Sequence, residues 1–450
     1  MNSLFALLAQ RSWVALSGLL TTVMVTLYLT PQLQGWYYAF MGMVMLYSLF
    51  DLGLAQVLIS VSSSLSQQDD SAKKSFRGLP ANDQFKSLLF QAVRKYGWIA
   101  GIFVLIMIPL GVLFFWTGTK GAPIPRDQWF WQWIVLVVVT GVVMLLTPFL
   151  SMLEGAGNIT EVAVLRLTQG VLGSIACWYM LWKGAGLWAL IMVPLISAIV
   201  TGIWLRVRFA VLLKVVRDAT KEFARHATQR SLSWAKEVWP LQWRFGVGWF
   251  TSYMLTQIYT PILFYLSGSV VAGQMGVSFA IANMVAVLSN SWTSRHVSRM
   301  AQAVSDQNWS ALNRLFKNDL LWSSGFFIFS ALVLCLGHQI LEPTKYGQRL
   351  LPFWPFAGLL AISFVNHLTG TFGAQLRAFQ KEPLMRIMLS GAIVIVPLAM
   401  FAADRYAAPG VVGAILFVQL VYVLPMTIWT WRAFRAEYSS SYRDAAYVGA

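Results

Sequence analysis

Twelve apolar runs, each long enough to cross a bilayer, leave this chain of 450 residues little length for anything else. A hydrocarbon core about 30 Å thick takes about 20 residues of helix. The runs at 11–30, 36–62, 96–116, 131–153, 162–182, 186–206, 244–266, 271–294, 320–340, 352–376, 384–402 and 411–431 meet that length. The expected fold is an all-α polytopic membrane protein with about twelve transmembrane helices. Only 11% of the residues are charged, against about a quarter in soluble domains, so no sizeable water-soluble domain is expected. The 21 Trp and 15 Tyr suit the aromatic belts at helix ends. No basic segment or cleavage site marks the first run, which is read as a retained helix rather than a signal peptide. Cys177 and Cys335 both lie inside apolar runs and indicate no disulfide framework.

The net charge of +16 would suggest a nucleic-acid partner in a soluble chain. Here the charge sits in the connections and sets the topology instead. With the N-terminus inside, 27 of the 33 Lys and Arg fall on the cytoplasmic side. Only Lys120, Arg126, Lys183, Lys345, Arg349 and Arg405 fall outside. That asymmetry places both termini in the cytoplasm. The expected organisation is an N-terminal six-helix lobe at 1–206, a connector at 207–243, a C-terminal six-helix lobe at 244–432 and a tail at 433–450. In the connector, Leu212, Val215, Val216, Ala219 and Phe223 recur at helical spacing, with Lys214, Arg217, Lys221 and Arg225 on another face. Such a helix would lie on the anionic lipids of the inner leaflet; a solvated linker is the alternative. Each half starts and ends inside, so an internal repeat would be parallel, about an axis along the membrane normal.

The chemistry available is narrow. The longest outer loop, Thr117 to Phe130, carries one acid, Asp127. Paired carboxylates, a His/Cys metal spacing, a phosphate-binding glycine loop and a nucleophile elbow are all missing from the sequence. His226, His296, His338 and His367 are scattered. No catalytic residue, metal or cofactor is therefore expected.

Polar residues at membrane depth are costly and point to function. At 1.5 Å per residue, Asp51 lies about 24 Å below the outer end of the second helix, and Arg166 about 24 Å below that of the fifth. With Arg11 at the inner end of the first helix, they form a candidate cationic funnel, Asp51 holding one of the two arginines. Snorkelling arginines and a structural ion pair are the alternative. Glu154 and Arg244 fall at the cytoplasmic face, where solvation accounts for them equally. In the second half, Gln257 and Asn283 fall near the midplane, and His367 about 22 Å from the outer end of the tenth helix. His367 would be either a proton relay or a satisfied core residue. Pro109, Pro148, Pro194, Pro261, Pro397 and Pro425 permit bends.

Several stretches resemble a known family. Leu29-Thr30-Pro31-Gln32-Leu33-Gln34-Gly35-Trp36-Tyr37, followed by Asp51-Leu52-Gly53-Leu54, resembles the first helix pair of O-antigen (Wzx-type) polysaccharide flippases. These belong to the multidrug/oligosaccharidyl-lipid/polysaccharide (MOP) exporter superfamily. Leu153-Glu154-Gly155-Ala156-Gly157-Asn158 resembles that family's exit from helix four, and Gly186-Leu187-Trp188-Ala189-Leu190 its entry to helix six. The resemblance implies two six-helix lobes around a central cavity that opens alternately to either side of the bacterial inner membrane. It also implies an undecaprenyl-diphosphate-linked oligosaccharide as cargo, coupling to an ion gradient, and assembly proteins such as a glycan polymerase as further partners. The candidate cargo-contacting residues are then Arg11, Asp51, Arg166, Arg244, Gln257, Asn283 and His367. Rival readings are a cation-coupled multidrug antiporter of the same superfamily, and a membrane enzyme or scaffold of glycan assembly.

Overall fold

A computed structural model of the chain describes residues 3–67, 83–118, 124–210, 212–214, 217, 234–379 and 383–448. Among them the chain is helical throughout, with no strand. Eight helices are long and apolar enough to cross a membrane, or nine if the bent pair Pro31–Asp51 and Leu54–Ser66 counts as one span. One of the eight, Met385–Ala436, is 52 residues long, about 78 Å of helix and twice what a bilayer requires. It divides at Ala407, whose φ of 49° and ψ of −138° are not helical. Ser3–Tyr28, Trp239–Thr256 and Tyr259–Ser267 are further helices beyond these. The chain is a multi-pass membrane protein.

The chain forms two compact units, Met1–Gln257 and Ile258–Ala450. The first contains α1 (Ser3–Tyr28), α2 (Pro31–Val44), α3 (Tyr47–Asp51), α4 (Leu54–Gln67), α5 (Asp83–Thr117), α6 (Phe130–Gly155), α7 (Ile159–Trp182), α8 (Trp188–Arg208) and α9 (Trp239–Thr256). The second contains α10 (Tyr259–Ser267), α11 (Ser269–Ser305), α12 (Trp309–Leu341), α13 (Phe353–Arg377), α14 (Met385–Val418) and α15 (Leu424–Val448). The division falls at the break in the seventh span, because α9 packs on α3 and α4. Residues 212–214 of the expected connector helix are helical; most of the Leu212–Phe223 pattern lies outside the described residues.

Helix ends follow from local chemistry. Thr30 caps α2 by accepting from the Leu33 N–H at 3.2 Å, and Pro31 occupies the first turn, where no N–H is needed. At the other end of α6, Gly157 adopts φ +93° and the Asn158 N–H donates to Leu153 O at 3.0 Å, closing the helix in the left-handed cap glycine favours. The second span was expected as one helix over 36–62. It is instead broken twice, with Leu52 at φ 48° and Gly53 at φ 70° making the sharper turn.

Packing within the first unit centres on aromatic rings. Trp36, Phe40, Phe115, Trp129 and Trp133 stack or meet edge to face, with centroids 4.6–6.1 Å apart. The Trp133 indole lies over Gly111 and donates to Met107 O at 3.1 Å. Outward-facing apolar side chains are left for lipid, Leu105 at 76% exposure and Trp354 at 81% among them.

Candidate functional site

Asp51 ends α3, and its environment is set by the turn that follows. Its carboxylate accepts from the backbone N–H of Gly53 and Ala55, which caps the exposed amides at the start of α4. It also accepts the hydroxyl of Tyr96, a fully buried residue of α5. The expected pairing with an arginine is not found: Asp51 joins α3, α4 and α5. Asp51→Ala therefore leaves the Tyr96 hydroxyl and two amides without an acceptor, a loss of about 1–3 kcal/mol. Asp51→Asn retains an acceptor oxygen and keeps most of that stability. Thermal melting in detergent micelles measures both, and equal losses in the two variants would assign the stability to the charge.

Arg166, in the second turn of α7, instead pairs with Glu154 at the end of α6, Nη2 to Oε2 at 2.7 Å. The guanidinium side chain remains 37% exposed. One turn earlier on α7, Glu161 faces Arg208 of α8 at 3.8 Å. Arg11 is exposed on α1, and Arg244 is exposed on α9 with its guanidinium 5.9 Å from the Trp243 ring. Consecutive spans alternate in direction, so Arg11, Arg94, Lys95, Arg166, Arg206, Arg208 and Arg244 share one end of the first unit. Gln257 closes α9, its N–H donating to Tyr253 O. Asn283 is exposed on α11. Among the described residues no two of the seven expected site residues bond to each other.

The second unit holds a polar cluster that joins three helices. His367 of α13 is fully buried. Its Nδ1 lies 2.7 Å from Asn290 Oδ1 on α11, and its Nε2 lies 3.0 Å from Ser323 Oγ on α12. Phe327 stacks on its ring at 5.8 Å. Ser323 Oγ is also 2.6 Å from Asp319 O, one turn back on α12. The hydroxyl has one hydrogen and two acceptors in reach. It donates to Asp319 O when Nε2 carries a proton, and to Nε2 when that nitrogen is bare. Beyond it, the Asp319 carboxylate, 1% exposed, meets Nδ1 of His296 on α11 at 2.5 Å.

Neither a family model nor a curated protein matches the sequence. Solved structures do match. An inward-facing multidrug resistance MATE family transporter of the MOP superfamily superposes with a TM-score of 0.61 at 13% identity. The match covers 94% of this chain and 99% of that one. The lipid II flippase MurJ, in an inward closed conformation, gives 0.56 at 12% identity over 96% of this chain and 87% of its own. A MOP superfamily transporter from Pyrococcus furiosus gives 0.53 at 13% identity over 95% and 93%. The chain shares the fold of these structures. Identities this low show a common fold and leave the role and the cargo to be argued from the residues.

Within that fold, the stretches that carried the family resemblance serve as caps and close contacts. Trp36 is the centre of the aromatic cluster, and Gly155 and Gly157 shape the α6 exit. His296 and Asp319 were missed as a pair because the apolar runs stop at 294 and resume at 320. Both residues lie on continuous helices, each with ten residues between it and the Gln307–Asn308 turn. Equal spacing from a helical hairpin turn is the sequence signal that places two side chains level.

Proposed function

We propose that the chain is a flippase for lipid-linked oligosaccharide. It moves an undecaprenyl-diphosphate-linked repeat unit from the inner to the outer leaflet of the bacterial inner membrane by alternating access, without covalent chemistry of its own. The charge balance of the first unit carries this reading. Among the described side chains, three carboxylates of α3, α6 and α7 are engaged, Asp51 by Tyr96 and the α4 amides, Glu154 by Arg166, and Glu161 by Arg208, and Glu237, just before α9, adds one exposed acid. Arg11, Arg94, Lys95, Arg206 and Arg244 are exposed at the same end. A diphosphate headgroup cannot enter hydrocarbon without groups that replace its hydration, and arginine does so with paired, permanently charged donors. A cationic drug would instead meet a cationic end. The basic asymmetry of the loops assigns this end to the cytoplasm, where the cargo is made, and both termini with it.

The test is reconstitution of the purified full-length chain in vesicles carrying fluorescent undecaprenyl-diphosphate-linked oligosaccharide. Lipid should become accessible to an external quencher only where the protein is present, and ethidium should not be expelled. Ethidium export without lipid movement would establish the antiporter instead.

A further inference from the structure

We propose that the His296–Asp319 pair is the proton-binding site of the transport cycle, an inference that rests on the transporter reading above. The pair has the asymmetry such a site needs. Asp319 is 1% exposed and His296 is 27% exposed, so the carboxylate is sealed while the imidazole is open to water. One carboxylate oxygen, Oδ1, faces the ring; the other, Oδ2, is buried and meets no hydrogen-bond partner among the described residues. His296 lies three residues past the end of the apolar span Ser269–Thr293, on the side the Lys and Arg bias assigns to the cytoplasm. A proton therefore reaches the imidazole first.

One proton neutralises the pair, whether it sits on His296 Nδ1 or on the carboxylate. Without it, a lone carboxylate is shut between α11 and α12, a state that burial disfavours. Among the described side chains, the other charged groups on the packed elements do not relieve that charge. Arg299 and Asp306 after α11's apolar span, Arg314 and Lys317 on α12, and Arg377 on α13 are exposed. Arg435 of α15 donates to Asn313 at 2.7 Å. His338 lies at the far end of α12, against Leu351 O at 2.8 Å. The titratable group that reaches inward from α13 is His367, linked to Asp319 through Ser323. The site suits a proton rather than a metal ion. No group of three His, Cys, Asp or Glu side chains gathers among the described residues, and the imidazole already occupies Oδ1. The closed α11–α12 packing is thus the protonated state, and loss of the proton favours a state in which that face opens to water.

Hydrogen–deuterium exchange of the whole protein in nanodiscs tests the site without any cargo. After correction for intrinsic rates, amides of 286–323 should exchange about tenfold faster at about pH 8 than at about pH 6. Asp319→Asn, neutral at both values, should remove that difference, and so should His296→Gln on the open side of the pair. Wild-type protection equal at both pH values, or a difference that survives both substitutions, overturns the proposal. In vesicles with undecaprenyl-diphosphate-linked oligosaccharide, an imposed pH gradient should speed flipping by wild type and leave Asp319→Asn unaffected. Gradient-driven acceleration in Asp319→Asn also overturns it. Wild-type vesicles that move no such lipid while the exchange difference persists reject the flippase reading and leave the proton site standing.

Discussion

Arg166→Ala should slow flipping about tenfold to a hundredfold without lowering the amount of protein in the membrane. That range corresponds to the loss of one hydrogen-bonded contact to a charged group, about 1.5–3 kcal/mol. The half-exposed guanidinium holds Glu154 at 2.7 Å and still has donors free to turn toward a diphosphate. The ion pair itself, partly open to water, is worth at most about 1 kcal/mol. A double-mutant cycle separates the two roles. If Arg166 only restrains Glu154, then removing both side chains should restore flipping. If it contacts the cargo, Glu154→Ala alone should be mild and the double variant as slow as Arg166→Ala. Arg166→Lys keeps the charge but loses the planar fork, and should fall between wild type and alanine. Full flipping by Arg166→Ala at normal abundance would remove this residue from the cargo path.

The second large effect concerns stability. Gly155→Ala should destabilise the first unit by about 1–3 kcal/mol. A Cβ at 155 would press into the backbone carbonyl of Ile59 on α4 and lie 2.7 Å from Ser62 Cβ. A carbonyl fixed in a helix cannot turn aside as a flexible side chain would. The same contact lets Ser62 Oγ donate to Met152 O at 2.9 Å, which ties α4 to α6. Forcing the helices apart would break that bond and shift Glu154, so activity should fall with stability. Gly18→Ala is the matched control, since nothing lies within 4 Å of the added carbon on α1. Helix propensity should make it neutral or slightly stabilising, by up to about 1 kcal/mol. Fluorescence-detected size-exclusion chromatography after a heating series ranks the three proteins, and a Gly155→Ala chain as stable as Gly18→Ala would show that α4 and α6 can separate freely.

Sequence alone determined that the chain is all-helical and crosses a membrane several times, and where along it the charge accumulates. Lipid requires about 20 apolar residues per helix, and charge cannot hide in such a run, so both quantities are written linearly along the chain. The breaks at Leu52-Gly53 and after Thr256 were not legible there, because apolar runs continue through both. The ends of α11 and α12 were misjudged for the opposite reason. His296 and Asp319 interrupt the apolar pattern, yet the helices run on, and each residue supplies the other's partner. Asp51 and Arg166 were visible as deep charges, but their partners were not: Tyr96 lies 45 residues from Asp51, and nothing along the chain marks it. Depth in the membrane is a property of one helix, readable from its own residues. Which side chain meets which across two helices depends on their rotation and tilt, and these are set by packing contacts such as Gly155 on Ile59 that only the folded chain brings together.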